Sequence, residues 1–403
     1  MKHSDSEKIR LASAVEVLKG QLKCLVICIS HSWGGLEQVA AEDSIALANL
    51  GLSIRVLCLF DSPIYKYLVA SKATLEIVPI EFTPSNYFDL KLKAKLDGLI
   101  SASVNLVHTH QTSLLGSIVP WLWPHRSVAL LATRHIMNGH NKKGVYHKAI
   151  YSRVDSLIVM SQSLRENVIQ THALPERRVK VIHLGLDFEK FNPHRAFGEK
   201  FRAQWGADDD TVVIGLVGRI DPAKGQATFI RSAAGLLKNL DESKKNIRFV
   251  IVGEETLGAE SHYLAELKEM VRQLQLEDYV VFAGYQENIP AVMQSFDLAV
   301  MPSRQETFGL VAIEAMAMEC PIVISSGGSA FEIVGNCEYG LMMRPDDPFD
   351  LQRQLMHLLM HPEERREMGR KAREYVRSQY DRQERLIKTL ALYAKVLRKR
   401  RAL

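Results

Sequence analysis

Long apolar runs are missing from this 403-residue chain. None approaches the ~20 residues a membrane-spanning helix needs. The stretch Met1 to Gln21 is polar and charged, without the continuous apolar centre of a secretory signal. The expected compartment is the cytoplasm. Cysteine is sparse and odd in number: Cys24, Cys28, Cys58, Cys320 and Cys337 stand mostly in apolar runs. They read as reduced core thiols, which excludes a disulfide-stapled scaffold. Cys24 and Cys28 would share one face of a strand, but no second ligand pair follows, so no zinc site is expected. Net charge is also small. A balance of +5 is too diffuse for nucleic acid. It could help hold a phosphate-rich ligand or rest on an anionic membrane surface. Lys395, Arg398, Lys399, Arg400 and Arg401 form a dense basic cluster that reads as a solvated tail, with a membrane-surface role open. No internal repeat or low-complexity segment is visible.

What the chain does have is a recurring pattern of short apolar runs, each followed by a helical pattern. The first half carries them at 25–29, 54–60, 106–108, 128–132, 157–160 and 179–184, and the second at 212–217, 249–252, 280–283, 298–301 and 322–324. Alternating strand and helix implies parallel sheets covered on both faces. A chain of this length exceeds one ordinary core, and the pattern falls into two sets. The expectation is an α/β protein of two doubly wound domains, residues 1–190 and 200–375, with a linker near 186–200. Ligands of such sheets bind beyond the carboxyl ends of the strands, so the cleft between the domains is the expected site. Leu386, Leu390, Leu392, Tyr393 and Val396 recur at helical spacing and predict a C-terminal helix.

The most informative segment runs from Glu306 to Glu314. It follows the apolar run Leu298 to Met301, and Leu310 to Met318 reads as a helix. Glu306 should lie in the loop at the strand's carboxyl end, and Glu314 about two turns into the helix. The helix N-terminus between them offers unpaired N–H groups and partial positive charge, a seat for phosphate. Sugar, diphosphate and ribose would fit such a layout. Gly218, Arg219, Lys224 and Gly225 add a second strand-end loop, with a guanidinium that can fork onto phosphate and an ammonium point charge. The order of a Walker loop is absent. Gly327-Gly328, with Glu332 in the next turn, could add backbone donors. In the first half, Trp33-Gly34-Gly35-Leu36-Glu37 opens a helix but lacks the third glycine of a dinucleotide fingerprint. His108, His110 and His135 fall at strand ends. Three such histidines could form a metal site, yet their spacing matches no hydrolase metal motif. Asp208-Asp209-Asp210 reads as a solvated loop.

Gly218-Arg219 with Lys224-Gly225, Pro302-Ser303 with Glu306 through Glu314-Ala315-Met316-Ala317, and Gly327-Gly328 with Glu332 together resemble a retaining family 4 glycosyltransferase of the GT-B fold. Gly34 to Glu37, His108-Thr109-His110 and Gly185-Leu186-Asp187 with Phe191 support the likeness, which runs from about Cys24 to the C-terminal helix. The resemblance implies two Rossmann-like domains, the first binding acceptor and the second the donor. It also implies that a helix over about 376–403 packs back on the first. It implies that Arg219 and Lys224 bind the donor diphosphate and that Glu306 holds sugar hydroxyls. Phe308, Gly309 and Leu310 would face sugar and phosphate, and Glu314 the ribose. Gly35 would approach the phosphate from the acceptor domain. His135 would lie at the transferred sugar. The segment Tyr285 to Ile289 would hold the nucleobase, and Gly34, His108 and His110 would contact acceptor or sugar. The implied co-substrate is a nucleotide-diphosphate sugar, UDP ahead of GDP, without a metal or bound cofactor. The implied acceptor is a glycan or lipid-linked glycan of the cell envelope. An epimerase or a non-catalytic nucleotide-sugar-binding subunit on the same fold is the alternative. Met318 to Pro321, His183 and Ser329-Ala330 depart from the family's usual residues without removing a catalytic group.

Overall fold

The structure, a computed structural model, describes residues 2–402 apart from 86, 138, 242–245 and 256–261, and of residues 2–6 the backbone alone. The chain divides into two compact units. One is Met1–Gly185 with Arg382–Leu403, and the other is Leu186–Asp381.

The first unit is built on seven parallel strands: β1 (Lys23–Ile27), β2 (Ser53–Leu59), β3 (Glu76–Ile80), β4 (Leu106–Thr109), β5 (Ala129–Arg134), β6 (Ser156–Val159) and β7 (Val179–Val181). Their order is β3-β2-β1-β4-β5-β6-β7. Every residue of β4, β5 and β6 is buried. Helices cover both faces, which is why these strands read as unbroken apolar runs rather than alternating ones. The order reverses between β1 and β4, paired with Val26 opposite His108. In open α/β sheets such a switch of strand order is where ligands bind, outside the carboxyl ends of the strands. The helix Arg382–Arg401 belongs to this unit, while residues 376–381 close the other. It packs beside an N-terminal helix, Lys2–Leu18, with Val15 and Leu18 in one core cluster with Leu390, Tyr393 and Leu397. Each such side chain contributes about 1.5–3 kcal/mol by leaving water. Arg10 and Glu384 pair at 3.0 Å along the rim of that contact. Residues 1–20 carry no readable motif, and the helix Lys2–Leu18 within them covers the returning helix.

The second unit repeats the plan with six parallel strands: β8 (Val212–Val217), β9 (Ile247–Val252), β10 (Val280–Gly284), β11 (Leu298–Met301), β12 (Ile322–Ser325) and β13 (Leu341–Met343). The order β10-β9-β8-β11-β12-β13 reverses between β8 and β11. Phe229, Leu236, Phe249, Ile251 and Leu298 share its core. Two strands escaped the sequence pattern, β3 and β13, and both are sheet edges. β3 opens on Glu76 and contains Pro79, tolerated where one side of the strand has no neighbour. β13 is three residues long and only partly buried. The helix after β11 runs Leu310–Ala317, so Glu314 lies just over one turn in, not two. Gly309, in the left-handed region at φ +81°, fixes the start at Leu310.

Candidate functional site

In the second unit, the loops leaving β8, β11 and β12 interlock. Asp221 starts a short 3-10 turn, Pro222–Lys224, its carboxylate accepting the Ala223 N–H at 2.9 Å. Gly225 follows at φ +77°, where a Cβ would collide with the Pro302 carbonyl. Arg304 N–H donates to the Ala223 carbonyl at 3.1 Å, tying the β8 loop to the β11 loop. The β12 loop closes from the other side. Gly328, at φ +64°, presses against the Glu306 carbonyl, and Ser329 donates its N–H to that carbonyl at 3.1 Å and its hydroxyl to the Phe308 carbonyl at 2.8 Å. The loop carrying Glu306 is thus clamped on both sides.

That clamp brings Lys224 and Glu306 together. Lys224 Nζ donates to Glu306 Oε2 at 2.9 Å, with both side chains partly open to solvent. Arg219 is more exposed and pairs with Asp221 at 3.0 Å. No side chain caps the helix Leu310–Ala317 at Gly309, so its first N–H groups carry the partial positive charge of an open helix start. Phe308 is buried, with its ring 5.7 Å from that of Tyr380. Glu314 is half-buried. Tyr285, exposed, donates its N–H to Glu254 Oε1 at 3.3 Å, and Ile289 begins the helix Ile289–Gln294. Gly218 continues the β8 ladder through its N–H to the Val252 carbonyl.

In the first unit, the three histidines form one group. His108 bonds the Tyr393 hydroxyl through Nδ1 and the Thr133 hydroxyl through Nε2, both at 2.7 Å. His110 Nδ1 lies 3.3 Å from His135 Nε2, one imidazole N–H serving both rings, and the rings stack 5.4 Å apart. Burial is the main reason all three stay neutral. It lowers His108 to about 4 and His135 to about 3, with the nearby Arg385 guanidinium adding to the effect, and pushes His110 well down as well. His135 therefore offers a neutral imidazole. Gly34 caps the helix Gly35–Asn49, and its N–H is already taken by the buried Glu37 carboxylate at 2.9 Å. Gln111 bridges the β1 and β4 loops by exchanging two hydrogen bonds with the Ile29 backbone.

Several residues that hold this arrangement carry no signal in the sequence. Gln226, fully buried, donates to the Arg219 carbonyl at 2.8 Å and so sets the loop's path. Tyr393 and the Arg385–Asp43 pair, at 2.5 Å, surround the histidines from helices distant in the chain. Local spacing is blind to such partners. Asp208 bonds Thr211 and Asn246 in an exposed turn, as a solvated loop would. Cys24, Cys28, Cys58 and Cys320 are buried free thiols, and Cys337 is exposed. Among the described residues, His357, His361 and Glu364 are the one grouping with metal-ligand spacing, on the surface at the turn between two helices.

Two parallel doubly wound sheets, each with a reversal of strand order near its middle, define a Rossmann-like α/β class. The sequence model of the "Glycosyl transferases group 1" family matches residues 198–375, and that of "Glycosyltransferase Family 4" matches residues 33–190. The chain belongs to the family 4 glycosyltransferases, with the GT-B fold. It is similar to an uncharacterized glycosyltransferase of Methanocaldococcus jannaschii, at 35% identity over 48% of this chain and 47% of that protein. It is also similar to the mannosylfructose-phosphate synthase of Agrobacterium fabrum, at 27% identity over 70% of this chain and 61% of that one. The matched stretch thus spans less than two thirds of either relative. The crystal structure of HepE from Anabaena in complex with UDP shares the fold, with a TM-score of 0.79, 22% identity, and coverage of 94% of this chain and all of that one.

Proposed function

We propose that the chain is a metal-independent, retaining glycosyltransferase. It moves a hexose or N-acetylhexosamine from a nucleotide-diphosphate sugar to a glycan or lipid-linked acceptor of cell-envelope synthesis. The observation that carries this reading is the Lys224–Glu306 pair, 2.9 Å apart at the carboxyl ends of adjacent strands beside an uncapped helix start. A diphosphate entering there meets a cation and helix amides, and its sugar meets a carboxylate that accepts from hydroxyls. HepE has been solved with UDP-glucose, which supports a UDP-sugar ahead of a GDP-sugar.

In the reaction, the acceptor oxygen bonds to the anomeric carbon as the bond from that carbon to the phosphate oxygen breaks. The acceptor proton passes to the departing phosphate, and the nucleoside diphosphate leaves. Attack from the leaving-group face gives retention. Arg219, Lys224 and the helix amides stabilise the charge that grows on the phosphate. Glu314 holds the ribose. His135, as a neutral imidazole, hydrogen-bonds the transferred sugar. No helix of the described residues is long and apolar enough to cross a membrane. A lipid-linked acceptor would then be met at the membrane surface.

A panel of UDP- and GDP-sugars, read by thermal shift, ranks donors. A bound ligand at 100 times its Kd stabilises by about 2.7 kcal/mol. Released nucleotide, measured with and without acceptor, tests transfer, and proton NMR of the product reads its anomeric configuration. Inversion, a strict need for added manganese, or full turnover without acceptor would each overturn part of the reading.

A further inference from the structure

The first unit contains a cavity that the proposed mechanism leaves unused. It measures about 290 Å³, with Thr112, Ser113, Lys142, Tyr146, His147 and Tyr151 in its walls. Arg134, the last residue of β5, lies behind Thr112 and donates from Nη1 to its hydroxyl at 2.8 Å. Arg134 is only 5% exposed, and its Nε is buried without a partner. Lys142 is held in place by backbone pairing, its N–H donating to the Thr171 carbonyl and its carbonyl accepting from Ala173. His172, between those two, is buried with Nε2 unpartnered, and its ring is 5.2 Å from that of Tyr151.

Among the described residues, no carboxylate pairs with Arg134 or Lys142. The other buried arginines of this unit are treated differently. Arg385 grips Asp43 at 2.5 Å. Arg153 faces Asp155 at 3.7 Å and donates to the carbonyls of Leu122, His125 and Val128. Buried charges are ordinarily paired, because taking an unpaired charge out of water costs several kcal/mol. The field at the cavity is accordingly positive. Burial lowers the Arg134 and Lys142 pKa values, with Arg134 adding to the shift of Lys142. His172 is brought down to about 3 by burial first, then by Arg134, Lys142 and His147. A packing role alone would explain an arginine stem beneath Thr112. It would not explain why Lys142 in the wall, the buried Arg134 behind Thr112 and the buried His172 behind Tyr151 all lie around one cavity with no carboxylate among them.

We propose that this cavity is an anion subsite that holds a phosphate ester of the acceptor, with Lys142 as the cation in its wall, the Thr112 and Ser113 hydroxyls as further ligands, and Arg134 as a second cation behind Thr112. The assignment of the ester to the acceptor rests on the reading above, in which the first unit takes the acceptor. The anion site itself does not. Phosphate accepts from several donors at once and supplies the negative charge these residues lack.

The test is calorimetric titration of glycerol 3-phosphate into the full chain, the Lys142→Gln and Arg134→Gln variants, and the Arg219→Ala/Lys224→Ala double variant. Lys142→Gln should weaken binding about tenfold or more, the double variant should bind as wild type, and neutral glycerol should not bind. Lys142 is half-exposed, so its variant keeps the test usable if Arg134→Gln fails to fold. Equal affinity in Lys142→Gln, or loss in the double variant alone, overturns the site. Cosedimentation with phosphatidic acid vesicles separates the sources. Lys142-dependent vesicle binding with no response to glycerol 3-phosphate assigns the ester to a lipid headgroup, and the reverse assigns it to a soluble phosphorylated acceptor. If neither ligand shows Lys142-dependent binding, the proposal fails. UDP binding, measured in parallel, reports on the donor reading separately. Its absence would sink that reading while leaving a Lys142-dependent anion site standing.

Discussion

In the first unit, the polar group at the switch of strand order is buried and internally satisfied. His108 is bonded at both nitrogens, and His110 and His135 are hydrogen-bonded to each other. In the second unit, the corresponding group is open and ion-paired, with Arg219 on Asp221 and Lys224 on Glu306. The same topology therefore carries two electrostatic strategies. Burial makes the histidines neutral and fixes their geometry. Exposure leaves the cations on solvent-facing carboxylates, which a donor phosphate displaces on the reading proposed above. The first arrangement stabilises the fold and orients a hydrogen bond. The second, being solvent-exposed, contributes little to stability.

The largest expected effect lies in the open group. Lys224→Ala and Arg219→Ala should each lower transfer about 10²–10³-fold, the range for removing one donor to a developing oxyanion. The double variant should lose less than the product of the two, because groups acting on one diphosphate are non-additive. Lys224 differs from Arg219 in one respect. Its partner Glu306 is itself a proposed sugar ligand, so Lys224→Ala should also impair sugar selection among donors. Steady-state rates across two UDP-sugars check this. Near-wild-type rates in both single variants would eliminate the loop as the phosphate site.

Stability should show the reverse ranking. Asp43→Ala strands Arg385, which is 6% exposed at the side chain. Removing one partner of a buried pair costs about 3–5 kcal/mol, and the partial exposure of Asp43 brings the expectation to about 2–4 kcal/mol. Arg219→Ala, with a side chain 58% exposed, should change stability by less than about 1 kcal/mol. Urea denaturation of both variants measures the contrast. Equal losses would mean that burial does not separate the two groups.

How much of this could be read from the residues alone depends on range. The clamp around Glu306 was legible because its glycines, acids and cations sit in short loops at strand ends, where type and spacing speak directly. The central strands were legible because burial on both faces writes them as apolar runs. The edge strands β3 and β13 were not, since one-sided neighbours relax the pattern enough to admit Glu76 and Pro79. The surroundings of the histidines were hidden for a different reason. Tyr393 and Arg385 reach them from a helix more than 240 residues further along the chain, and nothing in a local window encodes that approach. The strand-end position of His135 suggested chemistry. Its neutrality follows only from burial and from Arg385, which the sequence could not place beside it.

The smallest effect per unit of perturbation should be the response of stability to acid, and it should come from the buried group. An unfolded histidine titrates near 6.5. In the folded chain, burial holds His108 near 4 and His135 near 3. Below about pH 6.5 the unfolded chain takes up protons that the folded chain refuses, so stability falls as pH falls. Stability is fully present above pH 6.5 and is lost progressively toward pH 4, where His108 begins to protonate in place. Each buried histidine contributes at most about 1.4 kcal/mol per pH unit across that window. Urea midpoints at pH 7.5, 6, 5 and 4.5 should therefore decline, and His108→Gln, which keeps a hydrogen-bonding side chain but cannot titrate, should flatten the decline. The open group predicts no comparable slope from Arg219, so Arg219→Ala should leave the decline unchanged. A decline as steep in His108→Gln as in wild type would move the acid sensitivity elsewhere, to His172 or His183, which burial also lowers, and would weaken the contrast drawn between the two polar groups.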